Sequence, residues 1–204
     1  MRGRIFLGDF PALARRLLEE LVASARPGPL APRLVALPSH QLAAHLKKAL
    51  AGRGGAAAVR FLTLEELAEA LAEDALLGQG LLRLPPCGEE LLARAALVRS
   101  PASRAAAGAA RRPGMAAALG QTLEDLREGG LTPSDLDRAR SGLRGDLGRK
   151  LEELAQLLDD YGRMLREARL YDGADLLREA ARRAASSPTL REASLFCLYG
   201  FYDM

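Results

Sequence analysis

Three short apolar segments, each bounded by Gly or Pro and each followed by a helical pattern, constrain this chain more than any other feature. They are Arg4–Gly8 (RIFLG), Arg33–Leu37 (RLVAL, ended by Pro38) and Val59–Thr63 (VRFLT). Apolar runs of this length read as strands. After the first, Pro11–Ala25 sets Leu13, Leu17, Leu18 and Leu21 at the spacing of one buried helix face. After the second, Ser39 stands in N-cap position for a helix over Gln41–Leu50. After the third, Thr63 and Glu66 have the spacing of a capping box for a helix over Leu64–Leu77. Strand–helix repeats at this spacing predict parallel strands with right-handed crossovers, hence an α/β sheet.

Beyond about Gly78 the pattern changes. Over more than a hundred residues only helical segments are predicted, around Gly88–Arg99, Pro113–Glu128, Pro133–Ala139, Leu147–Ala168 and Gly173–Ala185. TPSD at 132–135 and YDGAD at 171–175 mark helix starts. SLFCLYGF, residues 194–201, then returns as an apolar strand that turns at Gly200. The expected organisation is a first α/β part over 1–77, an all-helical insertion over 78–190, and a last strand over 191–204 that rejoins the sheet. A buried strand with so little chain behind it also suggests a piece of a longer protein.

The chain of 204 residues is 49% hydrophobic and 27% charged, a globular rather than a disordered composition. No apolar run approaches the roughly 20 residues that span a bilayer, and no signal peptide is evident, so the expected location is the cytoplasm. Cys87 and Cys197 lie far apart without a CxxC pattern and read as free thiols, so no metal site is expected of them. The net charge is only +3, and the basic side is almost all arginine, with lysine at 47, 48 and 150 alone.

The loop Gly8–Pro11 occupies the position of a phosphate loop, yet it has no lysine and no hydroxyl residue. Nothing there can reach the β/γ-phosphates or hold magnesium. Asp9 would cap the following helix and repel phosphate, with Pro11 at a first-turn position. No catalytic residue and no cofactor is therefore expected. Ser39 and His40, at a helix N-terminus, could donate to a phosphate, with Lys47 and Lys48 adding charge further on; Ser39 could equally be a plain N-cap. Leu91–Leu123 contains no Asp or Glu but carries Arg94, Arg99, Arg104, Arg111 and Arg112, the clearest charge asymmetry in this reading. Such a basic loop could follow a nucleic-acid backbone, or simply be solvated. Phe201 and Tyr202 could stack on bases or pack on protein, Tyr161 reads as core, and Asp159 and Asp160 read as a solvated helix face.

The order of parts resembles the first, RecA-like (P-loop-like) domain of superfamily 1, UvrD-like helicases, in which a helical subdomain interrupts a parallel sheet. More closely it resembles the N-terminal, degenerate helicase-like half of the B subunit of AddAB-type (RexAB) helicase–nucleases. The resemblance rests on VALPSHQLAAHLKKAL, VRFLTLEELAEAL, LTPSDL at 131–136, RLYDGADLLREAA and LFCLYGFYDM, in that order and spacing along nearly the whole chain. The magnesium-binding carboxylate that normally ends the last strand is replaced by Leu198, Tyr199 and Gly200. The resemblance implies a non-catalytic domain that holds or scans DNA, mainly single-stranded, beside an AddA-type subunit that uses ATP in recombinational break repair. It places DNA contacts at Ser39, His40 and Thr63; the alternative is an assembly module that docks a partner without touching DNA.

Overall fold

A computed structural model describes residues 3–24, 28, 30–99 and 114–201. The protein is mixed α/β, about 62% helix with a small parallel sheet. It forms two compact units, Met1–Ala72 with Ala180–Met204, and Glu73–Glu179.

The first unit is built on β1 (Arg33–Leu37), with β2 (Val59–Thr63) on one side and β5 (Leu195–Leu198) on the other, all parallel. All five residues of β1 are buried, as a central parallel strand covered on both faces requires. Val35 and Leu37 pack with Phe61, Leu195, Cys197 and Tyr199 against Leu17, Leu18 and Leu21 of α1 (Phe10–Ala23) and Ala43, Leu46 and Leu50 of α2 (His40–Ala51). Arg33, fully buried, donates from one guanidinium nitrogen to Leu21 O at 3.1 Å and from another to Ala57 O. It thereby ties the end of α1 to the approach to β2. α3 (Leu64–Gly78) follows β2 directly.

Arg4–Gly8 is not a strand. A parallel strand is held by its ladder, and among the described residues this segment pairs with none. Ile5 and Leu7 are about nine-tenths exposed, while the Phe6 ring lies 3.8 Å from the Arg16 guanidinium of α1. Of the short apolar run only Phe6 meets the helix.

The second unit packs α4 (Gly88–Arg99), α5 (Met115–Glu128), α6 (Pro133–Arg140) and α7 (Asp146–Glu167) around Ala93, Ala96, Leu97, Leu123, Leu136, Leu158, Tyr161 and Leu165. Gly120 lets α5 approach α4: a Cβ there would lie 3.2 Å from the Glu89 backbone. The expected all-helical region is interrupted by β3 (Leu82–Arg83) and β4 (Leu170–Tyr171), which pair in parallel. Two residues are too few for a period-2 pattern, and the partners are distant in sequence, so no local signal marks them. α8 (Gly173–Ala184) and the single-turn α9 (Pro188–Arg191) lead back to β5.

One polar cluster joins three of these elements. Arg127 of α5 forms a two-point ion pair with the buried Asp172 carboxylate, 2.6 and 3.1 Å, and reaches Asp175 at 2.9 Å. Asp172 also accepts from the Asp175 N–H at the start of α8, and the guanidinium stands 5.7 Å from the Tyr161 ring of α7. Removing one member of a buried pair strands the other's charge. Arg127→Ala is expected to cost about 3–5 kcal/mol in urea unfolding.

Glu124, one turn earlier, has its carboxyl held above the usual range, first by burial and then by Glu128, Glu89, Asp172 and Asp125. The folded unit therefore keeps a proton that the unfolded chain has already released. Its stability falls as pH rises from about 4.3, the free glutamate value, through the folded value. Glu124→Gln removes that part of the pH dependence and raises the urea midpoint at neutral pH; an unchanged pH–stability curve would contradict this.

Candidate nucleic-acid interface

Pro38 cannot extend the ladder, so β1 stops and α2 begins within two residues. Ser39 is extended, φ −157° and ψ 153°, and its Oγ accepts from the Leu42 N–H at 3.3 Å. The hydroxyl that could meet a phosphate is thus the N-cap of α2. Because Ala43, Leu46 and Leu50 face the sheet, His40, Gln41, Ala44, His45, Lys47 and Lys48 are turned to solvent. Both histidines of the chain and two of its three lysines share this one helix face. Among the described residues, none of the four takes part in an ion pair or side-chain hydrogen bond. Lys48, in the last turn, also opposes the negative end of the helix dipole.

The charge around this face is one-sided in sequence as well. Between Glu20 and Glu65 there is no carboxylate at all, a longer run than Leu91–Leu123. The clearest asymmetry therefore lies over β1, α2 and β2. His45 was not legible as a candidate, since its exposure depends on which face of α2 the sheet takes. The missing carboxylates were legible. Arg60, on β2, is exposed within the same run, and Arg53 reaches the Arg15 carbonyl at 3.5 Å.

The other candidates are placed differently. Thr63 forms a reciprocal capping box with Glu66: its N–H donates to Glu66 Oε2 at 2.7 Å, and its Oγ1 accepts from the Glu66 N–H at 3.1 Å. A carboxylate so close to Thr63 opposes a phosphate there. Asp9 caps α1 by accepting from the Ala12 N–H at 2.7 Å, and with no strand over Arg4–Gly8 the Gly8–Pro11 segment is not the strand-to-helix turn that a phosphate loop requires. Arg104, Arg111 and Arg112 lie outside the described residues, as does Tyr202. Arg94 and Arg99 are exposed on α4, in the second unit.

The turn after β5 closes onto the start of α2. Gly200 has φ +84°, and a Cβ there would lie 2.9 Å from Leu42 Cδ2 and 3.5 Å from Pro38 Cδ. Tyr199 donates its hydroxyl to Phe10 O at 3.3 Å and sets its ring 5.8 Å from that of Phe10. The C-terminal ends of β1 and β5 are thus occupied by the protein's own turns. Among the described residues no group of His, Cys, Asp and Glu could hold a metal ion, and no helix is long and apolar enough to cross a membrane.

The chain matches no protein-family model, and no curated protein resembles it in sequence at a significant level.

The cap and contact roles of Ser39 separate experimentally. Ser39→Ala is expected to lower stability by about 1 kcal/mol, the usual cost of a lost N-cap, while any affinity for DNA stays within about twofold. A loss of affinity without a loss of stability would make the hydroxyl a ligand contact instead.

Proposed function

We propose that this chain is a non-catalytic DNA-holding domain, of the kind that forms the degenerate helicase-like half of AddB-type subunits, acting beside an ATP-driven partner in break repair. The observation that carries the reading is the outer face of α2: four basic or imidazole side chains without acidic partners, inside a run that contains no carboxylate. Such a face neutralises phosphates and carries no sequence information of its own. Support also comes from the parallel sheet that presents the helix. His40 and Lys47 of the expected contacts belong to this face; Ser39 serves it by capping the helix.

A second reading, an assembly module without DNA contact, draws on β5, which pairs on one side only among the described strands and leaves Leu198 half exposed.

Fluorescence anisotropy of a labelled oligonucleotide, titrated with the full chain at several salt concentrations, distinguishes the two. Affinity should fall steeply with salt, and Lys47→Ala with Lys48→Ala should reduce the log–log salt slope by about 2, roughly one per lost phosphate contact. Absence of binding at low salt would overturn the DNA reading and favour the assembly module.

A further inference from the structure

The arrangement of charge on α2 points to the form of nucleic acid it fits. At 3.6 residues per turn, Lys47 lies about 20° to one side of His40, whereas Lys48 and His45 lie about 80° and 140° to the other. Ala44 and Ala51, both exposed, fill the strip between, at about 40° and 20° from His40. The face is therefore two flanks of positive or protonatable groups separated by a band of methyl groups. It also contains no Phe, Tyr or Trp, and its two imidazole rings stand on opposite flanks.

A single strand offers one row of phosphates and is usually gripped by stacking its bases on aromatic rings. This face would leave one flank unused and offers no Phe, Tyr or Trp as a stacking platform. A duplex offers two rows of phosphates across a major groove about 12 Å wide, which admits an α-helix of about 10–12 Å diameter. Alanines on the leading strip let the helix sit deep, and the flanks then meet opposite strands. Over its 12 residues α2 is about 18 Å long, roughly half a turn of duplex.

We infer that α2 docks in the major groove of double-stranded DNA, with His40 and Lys47 toward one phosphate row and Lys48 and His45 toward the other. This rests on the DNA reading above and replaces the single strand that the helicase resemblance implies.

The test is anisotropy with a single strand and a blunt duplex of equal length, using the full chain, Lys47→Ala, and the double variant His45→Ala/Lys48→Ala. The wild-type chain should bind the duplex at least about tenfold tighter, and each flank variant should make the duplex salt dependence shallower. Methyl green, which occupies the major groove, should displace the protein, whereas the minor-groove ligand distamycin should not. Equal or tighter binding to the single strand, an effect of one flank only, or displacement by distamycin alone would overturn the groove assignment while leaving the DNA reading intact. Failure of both DNAs to bind would remove both. Circular dichroism of each variant, compared with wild type, shows that a lost effect is not lost folding.

Discussion

Everything in the sheet-bearing unit follows from the need to bury β1 on both faces. Arg33, Leu34, Val35, Ala36 and Leu37 are each no more than 1% exposed, and successive side chains point to opposite faces. A strand covered on both sides takes the centre of a parallel sheet, so β2 and β5 become its edges. One face is closed by α1 and α2, with Val35 and Leu37 against leucines that each contribute on the order of 1.5–3 kcal/mol when fully buried. The price is a charged residue at the buried start of the strand. Arg33 is tolerated because its guanidinium donates to the carbonyls of Leu21 and Ala57, where α1 ends and β2 is approached. The same burial decides the outer surface. Once Ala43, Leu46 and Leu50 are committed to the sheet, helical geometry turns the two histidines and Lys47 and Lys48 outward together.

The net charge of +3 conceals this separation. The run without carboxylates ends at Glu65, and α3 then carries Glu65, Glu66, Glu69, Glu73 and Asp74 within ten residues. Two helices consecutive in the chain therefore have opposite character. A local field of one sign, rather than the overall charge, governs which surface meets a polyanion and how fast. The acidic start of α3 also opposes a phosphate at Thr63, although the position at a strand end is otherwise suitable. The Thr63–Glu66 box uses the hydroxyl and places a carboxylate beside it.

How much could be read in advance depended on whether the determining contacts were local. β1, β2 and the helices with caps were legible because Ser39, Thr63 with Glu66, and Thr132 with Asp135 act on backbone groups three residues away. Tyr161 was legible as core from the spacing of α7, and it is fully buried. Arg4–Gly8 was misread because its composition satisfies a strand, but a strand also needs a neighbour, and Phe6 found Arg16 instead. β3 and β4 were illegible for the complementary reason: Leu82 and Leu170 pair across a long stretch of chain and show no pattern within either segment. The cluster of Arg127, Asp172 and Asp175 is likewise non-local. For the candidate interface, the residues themselves gave less than the residues absent. Arginines are so numerous here that their positions carry little information, whereas a long absence of Asp and Glu is unusual in a chain holding 26 of them.

The fate of the first helix N-terminus explains why the charge sits where it does. A helix start can hold an anion through its free N–H groups and the positive end of its dipole. At α1 those groups are already served from within, since Asp9 accepts from Ala12 and Pro11 in the first turn contributes no N–H. A capping aspartate adds on the order of 1 kcal/mol to the helix and makes the same position repel phosphate. One helix terminus cannot be both internally capped by a carboxylate and open to a phosphate group. At α2 the cap is the neutral Ser39, so no fixed negative charge guards that end, and cations follow on the exposed face. With Asp at one N-cap and Ser at the other, a fixed negative charge stands at the start of α1 and none at the start of α2. On the proposed reading, phosphate chemistry is absent from the start of α1, and phosphate binding without chemistry belongs to α2, the helix that connects β1 to β2.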